Sequence, residues 1–329
     1  MRGFPVSRRF QVVVADARLP HKDREVEALA DIADVLLAGV LSRDELYARV
    51  ATADAILTEL TPIDADLLDH APNLRGVVVY GVGTERVDLE AARARGVVVA
   101  HTPDAFTREV AEHAIGLLMA LARCVSTADR DVRDQHAWNT YDDTHRPRLL
   151  QGLSLGILGY GRIGRATATL AAGLDMQLVI YDPFIPVEKL DGPPGTDVQV
   201  AASLDELLDG IDALTLHVPL TDETRGMIGA AELARMADDA MLVNVSRGGL
   251  IDHMALRDAL ASGELRGAGL DVFETEPPDF GHPLLREPNV IVTPHIAWKS
   301  EAAALRCELT AVAEVRRILV GEQPHHRVI

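Results

Sequence analysis

Cysteine is nearly missing from this chain: Cys124 and Cys307 stand far apart in 329 residues. Neither has histidine or cysteine neighbours at ligand spacing, so the pattern suggests neither a disulfide framework nor a zinc site, and a reducing cytoplasm is the expected setting. Long apolar runs are lacking as well. No stretch approaches the roughly 18 residues that cross a bilayer, and in "MRGFPVSRRFQVVVADARLP" the apolar run after the basic residues is too brief for a signal sequence. Positive charge is the third shortage. The formal net charge is -18 and no lysine or arginine cluster forms a stripe, so neither nucleic acid nor a membrane is an expected partner. An anionic ligand must therefore find a locally positive site.

What is present is ordinary globular composition, 48% hydrophobic and 25% charged, over a length that suits two domains. Apolar, β-branched runs alternate with helical patterns: "FQVVVAD", "DVLLA", "AILTE", "RGVVVYG" and "GVVVAH", then "LGILGYG", "QLVIYDP", "DALTLHVP", "AMLVNVS", "GAGLDVF" and "NVIVTPH". Strands apolar on both faces need cover on both faces, which predicts an α/β protein with two doubly wound parallel sheets. Between the two series, "TREVAEHAIGLLMALARCVSTADRDVRD" reads as one long helix. Residues 127–146, acidic and carrying Trp138 and Tyr141, read as either a dimer-interface arm or a catalytic insert, since long loops in compact domains often carry function. A second long helix, "KSEAAALRCELTAVAEVRRILVGEQ", follows the second series.

The segment "LGILGYGRIGRATATLAAGLDMQLVIYDP" holds Gly159, Gly161 and Gly164 as G-x-G-x-x-G between a strand and a helix that begins near Arg162. Such glycines permit a tight turn, close backbone approach to a pyrophosphate and close helix packing, while the helix start offers free N–H groups and partial positive charge. This is the local positive site that the net charge requires. Asp182 ends the next strand, where a carboxylate accepts bonds from a ribose hydroxyl and repels a 2′-phosphate. No arginine stands near it in "DPFIPVE", so NAD rather than NADP is the predicted cofactor.

Polar residues at the carboxyl ends of the later strands are the other candidates, because ligands of open α/β sheets bind there. They are His217, Arg247, the carboxylates Asp271, Glu274 and Glu276 of "GLDVFETEPPDF", and His295. Alternate residues of an extended segment share a face, so spacing cannot choose between Glu274 and Glu276. Taken singly, each of these side chains could be a hydrogen-bonded loop residue or a solvated charge.

Together the ordered motifs "LGILGYGRIG", "HVPLTDETRGMI", "NVSRGGLID", "GLDVFETEP" and "TPHIAW" resemble the D-isomer-specific 2-hydroxyacid dehydrogenase family over nearly the whole chain. The tail resembles its C-terminal-binding-protein branch. The resemblance implies a flavodoxin-like substrate domain of residues 1–103 and 299–329, a Rossmann NAD domain of 104–298, a cleft between them and a homodimer. It implies Arg247, Glu276 and His295 as the catalytic trio. For the cofactor it implies Thr107, Gly159, Gly161, Arg162, Ile163, Gly164, Asp182, His217, Val245, Ser246, Arg247, Asp271 and His295, with Asp271 at the nicotinamide carboxamide. For the substrate it implies the amides of Val82 and Gly83, with Arg247 and His295. No metal is implied.

The trio also makes chemical sense. Reducing a 2-keto acid needs a cation for the carboxylate, an acid for the carbonyl oxygen and a hydride donor held close. Arginine provides a planar fork, histidine exchanges protons near neutrality, and a carboxylate orients the imidazole. Two positions depart from the family pattern. Glu85 and Arg86 replace an Asp-Asn pair, so Arg86 is either a second cation for a doubly charged substrate or a partner for Glu85. His101 stands where the family usually has asparagine. Trp298 is either a pocket wall or a packing aromatic. Two further functions stay open: an NAD(H)-sensing, co-repressor-like binding protein, and oxidation of a phosphorus acid or phosphonate-bearing hydroxy acid.

Overall fold

The computed structural model describes residues 8–16, 23–39, 41–138 and 145–329. Tyr141, part of the expected interface arm, lies outside them. The chain divides into two compact units, Met1–Phe106 with Lys299–Ile329, and Thr107–Trp298. The first break falls three residues beyond the expected 103/104 boundary. Asp104–Phe106 stay with the first unit, where Arg306 donates from Nε to the Ala105 carbonyl at 3.1 Å.

The first unit is built on five parallel strands, β1 (Phe10–Val14), β2 (Ala33–Leu37), β3 (Ala55–Thr58), β4 (Gly76–Val79) and β5 (Val98–His101). Their order, β2-β1-β3-β4-β5, is the flavodoxin-like one. Every residue of β3 and β4 is buried. Helices α1 (Arg24–Leu29), α2 (Arg43–Val50), α3 (Ala65–Asp69) and α4 (Leu89–Ala94) connect these strands, and α11 (Glu301–Val320) returns to pack on β4. The approach is close because Gly76 has no side chain: a Cβ there would sit 2.8 Å from Ile318. Ser300 caps the start of α11 by accepting from the Ala303 amide, and Gly321 in the left-handed region ends it.

The second unit carries seven parallel strands, β6 (Ser154–Leu158), β7 (Gln177–Tyr181), β8 (Val198–Val200), β9 (Ala213–Leu216), β10 (Ala240–Asn244), β11 (Leu265–Leu270) and β12 (Val290–Val292). Their order, β8-β7-β6-β9-β10-β11-β12, is the Rossmann order with one strand added. The topological switch point lies between β6 and β9. Among the described residues its α-helices are α5 (Thr107–Ala122), α6 (Val125–Asp134), α7 (Arg162–Ala172), α8 (Leu204–Leu208), α9 (Ala230–Leu233) and α10 (His253–Ser262). The edge strand β8, only "VQV", carries no clear apolar signal in the sequence and was not expected.

The single long helix expected over residues 107–134 is instead two. It breaks at Cys124, whose φ is +56°, and α6 turns 61° from α5. The cause is burial. Eight residues of α5 are buried and none of α6 is, so packing holds only the first part against the sheet. Gly269 of β11 lets α5 lie close, since a Cβ there would come within 2.9 Å of Leu117. Among the described residues no single helix is long and apolar enough to cross a membrane.

Candidate active site

At the switch point β6 turns into α7 through Gly159, Tyr160 and Gly161. Two of the three motif glycines are demanded by the protein itself. Gly159 has φ +93°, and a Cβ on it would sit 2.6 Å from the His217 carbonyl carbon; one on Gly164 would sit 2.0 Å from the Gly159 oxygen. Gly161 is different, because a Cβ there would meet no protein atom within 4 Å. It is also the N-cap of α7 and supplies no side-chain cap, so the amides at Arg162 and Ile163 begin an 11-residue helix facing open space. The residues therefore fit a pyrophosphate.

Asp182 stands just past β7 and is 8% exposed. Its Oδ2 accepts from the Tyr160 amide at 2.7 Å and its Oδ1 from the Phe184 amide at 2.8 Å, which ties the glycine turn to the end of β7. Each oxygen keeps lone-pair capacity for a ribose hydroxyl. His217, just past β9, has its Nε2 3.0 Å from the Thr215 hydroxyl. Burial pushes its pKa down to about 3, so it offers a neutral ring and no charge.

Three strand ends bring the proposed trio into one unit. Arg247 follows β10, Glu276 follows β11 and His295 follows β12. Glu276 Oε2 lies 2.6 Å from His295 Nδ1, and its Oε1 accepts from the Phe273 amide at 3.1 Å. Burial works against the Glu276 charge, but the hydrogen bond and charge of His295, the Phe273 amide and the charge of Arg247 outweigh it. The carboxyl group is therefore held below its ordinary value. Because a carboxylate occupies Nδ1, the nitrogen of His295 turned from it is Nε2. Glu274, by contrast, is exposed and only reaches Arg225 at 3.7 Å.

The loops that carry these side chains are fixed by Asn244 and Gly248, which were not among the expected site residues, together with Ser246, which was. Asn244, fully buried at the end of β10, donates from Nδ2 to the Arg247 carbonyl at 2.8 Å and accepts from the Ser246 amide at 3.0 Å. Ser246 in turn donates to the Val218 carbonyl at 2.5 Å, and Val245 beside it is buried. Gly248 lets this loop touch the next one: a Cβ there would fall 2.0 Å from the Phe273 carbonyl carbon. A buried asparagine closing an apolar strand was the available signal for this anchoring role.

Asp271 proves to be such an anchor. Its buried Oδ1 accepts from the Thr293 hydroxyl at 2.5 Å and the Ile296 amide at 2.9 Å, and its Oδ2 accepts from the Ala297 amide at 2.8 Å. Its carbonyl accepts from the His295 amide at 2.8 Å. The turn therefore holds His295 at φ +54°, a left-handed conformation that histidine adopts more readily than most residues. His113 of α5 supports the turn from below, with Nε2 2.9 Å from the Thr293 hydroxyl. With three protein donors, the Asp271 carboxylate has capacity for about one more, which the expected contact with the nicotinamide would use.

Thr107 opens α5, and Trp298 ends the second unit, half-buried. Val82 and Gly83 belong to the first unit, in the loop after β4. Neither amide has a protein acceptor among the described residues. Arg86 in the same loop is exposed and makes no ion pair or side-chain hydrogen bond there, with Glu85 or any other described residue. Among the described residues no group of three or more His, Cys, Asp or Glu could hold a metal ion.

Residues 115–297 match the family model described as D-isomer specific 2-hydroxyacid dehydrogenase, NAD binding domain. The chain is 35% identical over 317 residues, 95% of its length, to a D-3-phosphoglycerate dehydrogenase of Methanocaldococcus jannaschii, and spans 58% of that enzyme. It is 38% identical over 293 residues to a glyoxylate reductase of Thermofilum pendens, covering 86% of this chain and 83% of that one. A crystal structure of a Thermus thermophilus protein superposes with a TM-score of 0.87 at 35% identity, covering 97% of this chain and 100% of the other.

Proposed function

Because the chain belongs to the D-isomer-specific 2-hydroxyacid dehydrogenase family, we propose that it interconverts a D-2-hydroxy acid and its 2-keto acid with NAD. The observation that carries this reading is the 2.6 Å pair of His295 Nδ1 and Glu276 Oε2, with the Arg247 charge acting on the same carboxylate. The bound nicotinamide would supply or accept the hydride. Arg247 holds the substrate carboxylate and carbonyl oxygen. His295 delivers a proton from Nε2 to that oxygen in reduction and takes it back in oxidation. Glu276 stabilises the imidazolium and fixes the ring. Asp182 takes the ribose hydroxyls and disfavours a 2′-phosphate. The amides of Val82 and Gly83 take the substrate acid group. A cytoplasmic homodimer completes the reading.

The test is a panel of 2-keto acids with NADH and NADPH, followed by nicotinamide absorbance. Reduction with NADH preferred over NADPH is expected; no turnover of any member would overturn the reading and favour the NAD(H)-sensing alternative. A preference for NADPH that Asp182→Ala leaves unchanged would overturn the cofactor choice.

A second reading concerns the substrate. Arg86, exposed and without an ion-pair partner among the described residues, favours an acid with a further anionic group, a class that includes phosphate-bearing and dicarboxylic acids. The resemblance to D-3-phosphoglycerate dehydrogenases is compatible with it, and that to glyoxylate reductases favours a small, singly charged acid. If Arg86→Ala leaves kcat/KM for doubly charged acids unchanged, the small-acid version stands.

A further inference from the structure

We infer that His101 is a positioning residue that aims the amide of Gly83 at the substrate's acid group; the inference rests on the reaction proposed above. His101 ends β5 beside β4, and its Nδ1 lies 2.8 Å from the Val82 carbonyl oxygen. Since a carbonyl only accepts, Nδ1 carries the hydrogen in this bond.

The peptide bond transmits that contact. A trans peptide is planar, and its C=O and N–H point to opposite sides. The peptides of this loop are trans. The carbonyl of Val82 and the amide of Gly83 share one such plane, so holding the oxygen from one side directs the N–H to the other. The preceding peptide is treated the same way. The Thr102 amide donates to the Gly81 carbonyl at 2.9 Å, which directs the Val82 N–H, while the Gly81 amide donates to the Thr102 hydroxyl at 2.8 Å. Two consecutive residues at the end of β5 thus hold the far ends of the two peptides whose amides have no protein acceptor. Donation to each carbonyl also polarises the peptide and strengthens its N–H as a donor. Of the side-chain contacts to these carbonyls, that of His101 Nδ1 to Val82 is the shorter at 2.8 Å, the Thr102 hydroxyl lying 3.4 Å from the Gly81 oxygen.

The same geometry says which replacements should work. In histidine Nδ1 is bonded to Cγ, and so is Nδ2 of asparagine, so His101→Asn keeps a donor at the same remove from the backbone. His101→Gln moves the donor one bond further, and His101→Ala removes it.

Steady-state reduction of the best keto acid at saturating NADH, with NADH affinity measured separately by fluorescence, tests the inference. We expect KM for the keto acid to rise about tenfold in His101→Ala, the effect of one lost hydrogen bond of ordinary strength. We expect kcat and NADH affinity within twofold of wild type, no rescue in His101→Gln and a near-normal KM in His101→Asn. An unchanged KM in His101→Ala, or equal impairment in the asparagine variant, overturns the role of His101 while the parent reaction stands. A wild type that reduces no keto acid overturns both.

Discussion

The two units carry their proposed chemistry in different materials. In the Rossmann unit it sits on side chains, Arg247, Glu276 and His295, each in the loop that follows its own strand. In the flavodoxin-like unit it sits on the backbone, as the amides of Val82 and Gly83, aimed by contacts to the carbonyls of Gly81 and Val82. Side chains of a given type announce their chemistry in a sequence, whereas an amide is present at every residue but proline. What distinguishes a working amide is that nothing in the protein accepts from it and something holds the carbonyl of its peptide. That is a property of the fold.

The largest effect should come from the side-chain site. His295→Ala removes the proposed proton carrier, and turnover should fall by roughly 10² to 10⁴ with NADH binding spared. The measurement is kcat beside NADH affinity; near-normal turnover would break the contrast between the units at its stronger end.

Next is the contact between the two loops of that site. Gly248→Ala puts a Cβ against the Phe273 backbone, which has no flexible side chain to yield. A loss of roughly 1 to 3 kcal/mol in denaturant unfolding is expected, together with a fall in kcat as Arg247 shifts. An unchanged unfolding midpoint would mean that the loops separate freely.

Asp271→Asn should cost a similar or smaller amount, about 1 to 3 kcal/mol for one donor left facing another in a buried site. Unlike Gly248→Ala, it acts on the turn that holds His295, so kcat should fall while KM changes little. A KM effect alone would return Asp271 to a ligand-binding role.

Smaller still is a dependence on pH. The folded pKa of Glu276 is lowered, so its contribution to stability is fully present above its unfolded value and is lost as pH falls through the folded one. Unfolding midpoints of wild type and Glu276→Gln should therefore differ near neutrality and converge in acid. A gap that persists below the folded pKa would show that the carboxylate charge is not what stabilises the pair.

Much of the fold was legible because strands buried on both faces are written in apolar residues. All five strands of the first unit and six of the seven in the second coincide with such runs. The exception, β8, lies at the sheet edge, where burial asks little of its three residues. The break at Cys124 was hidden for a related reason: local pattern continues through it, and only the end of packing against the sheet turns the chain. In the site, Arg247, Glu276 and His295 stood out by motif and type. His113 and the anchoring role of Asp271 did not, because each acts through a turn distant in sequence; Asn244 did not because its bonds to its own loop carry no motif. His101 was visible only as a departure from the family pattern, and its bond to the Val82 carbonyl appears only in the fold.

The most direct test of the proposed reaction is the product itself. Wild type and His295→Ala are given a 2-keto acid and NADH, and the hydroxy acid formed is resolved by chirality. Wild type should yield the D-isomer with one NADH consumed per product, and the variant almost none. An L-product, or equal yields from the two proteins, would contradict the assignment of the trio.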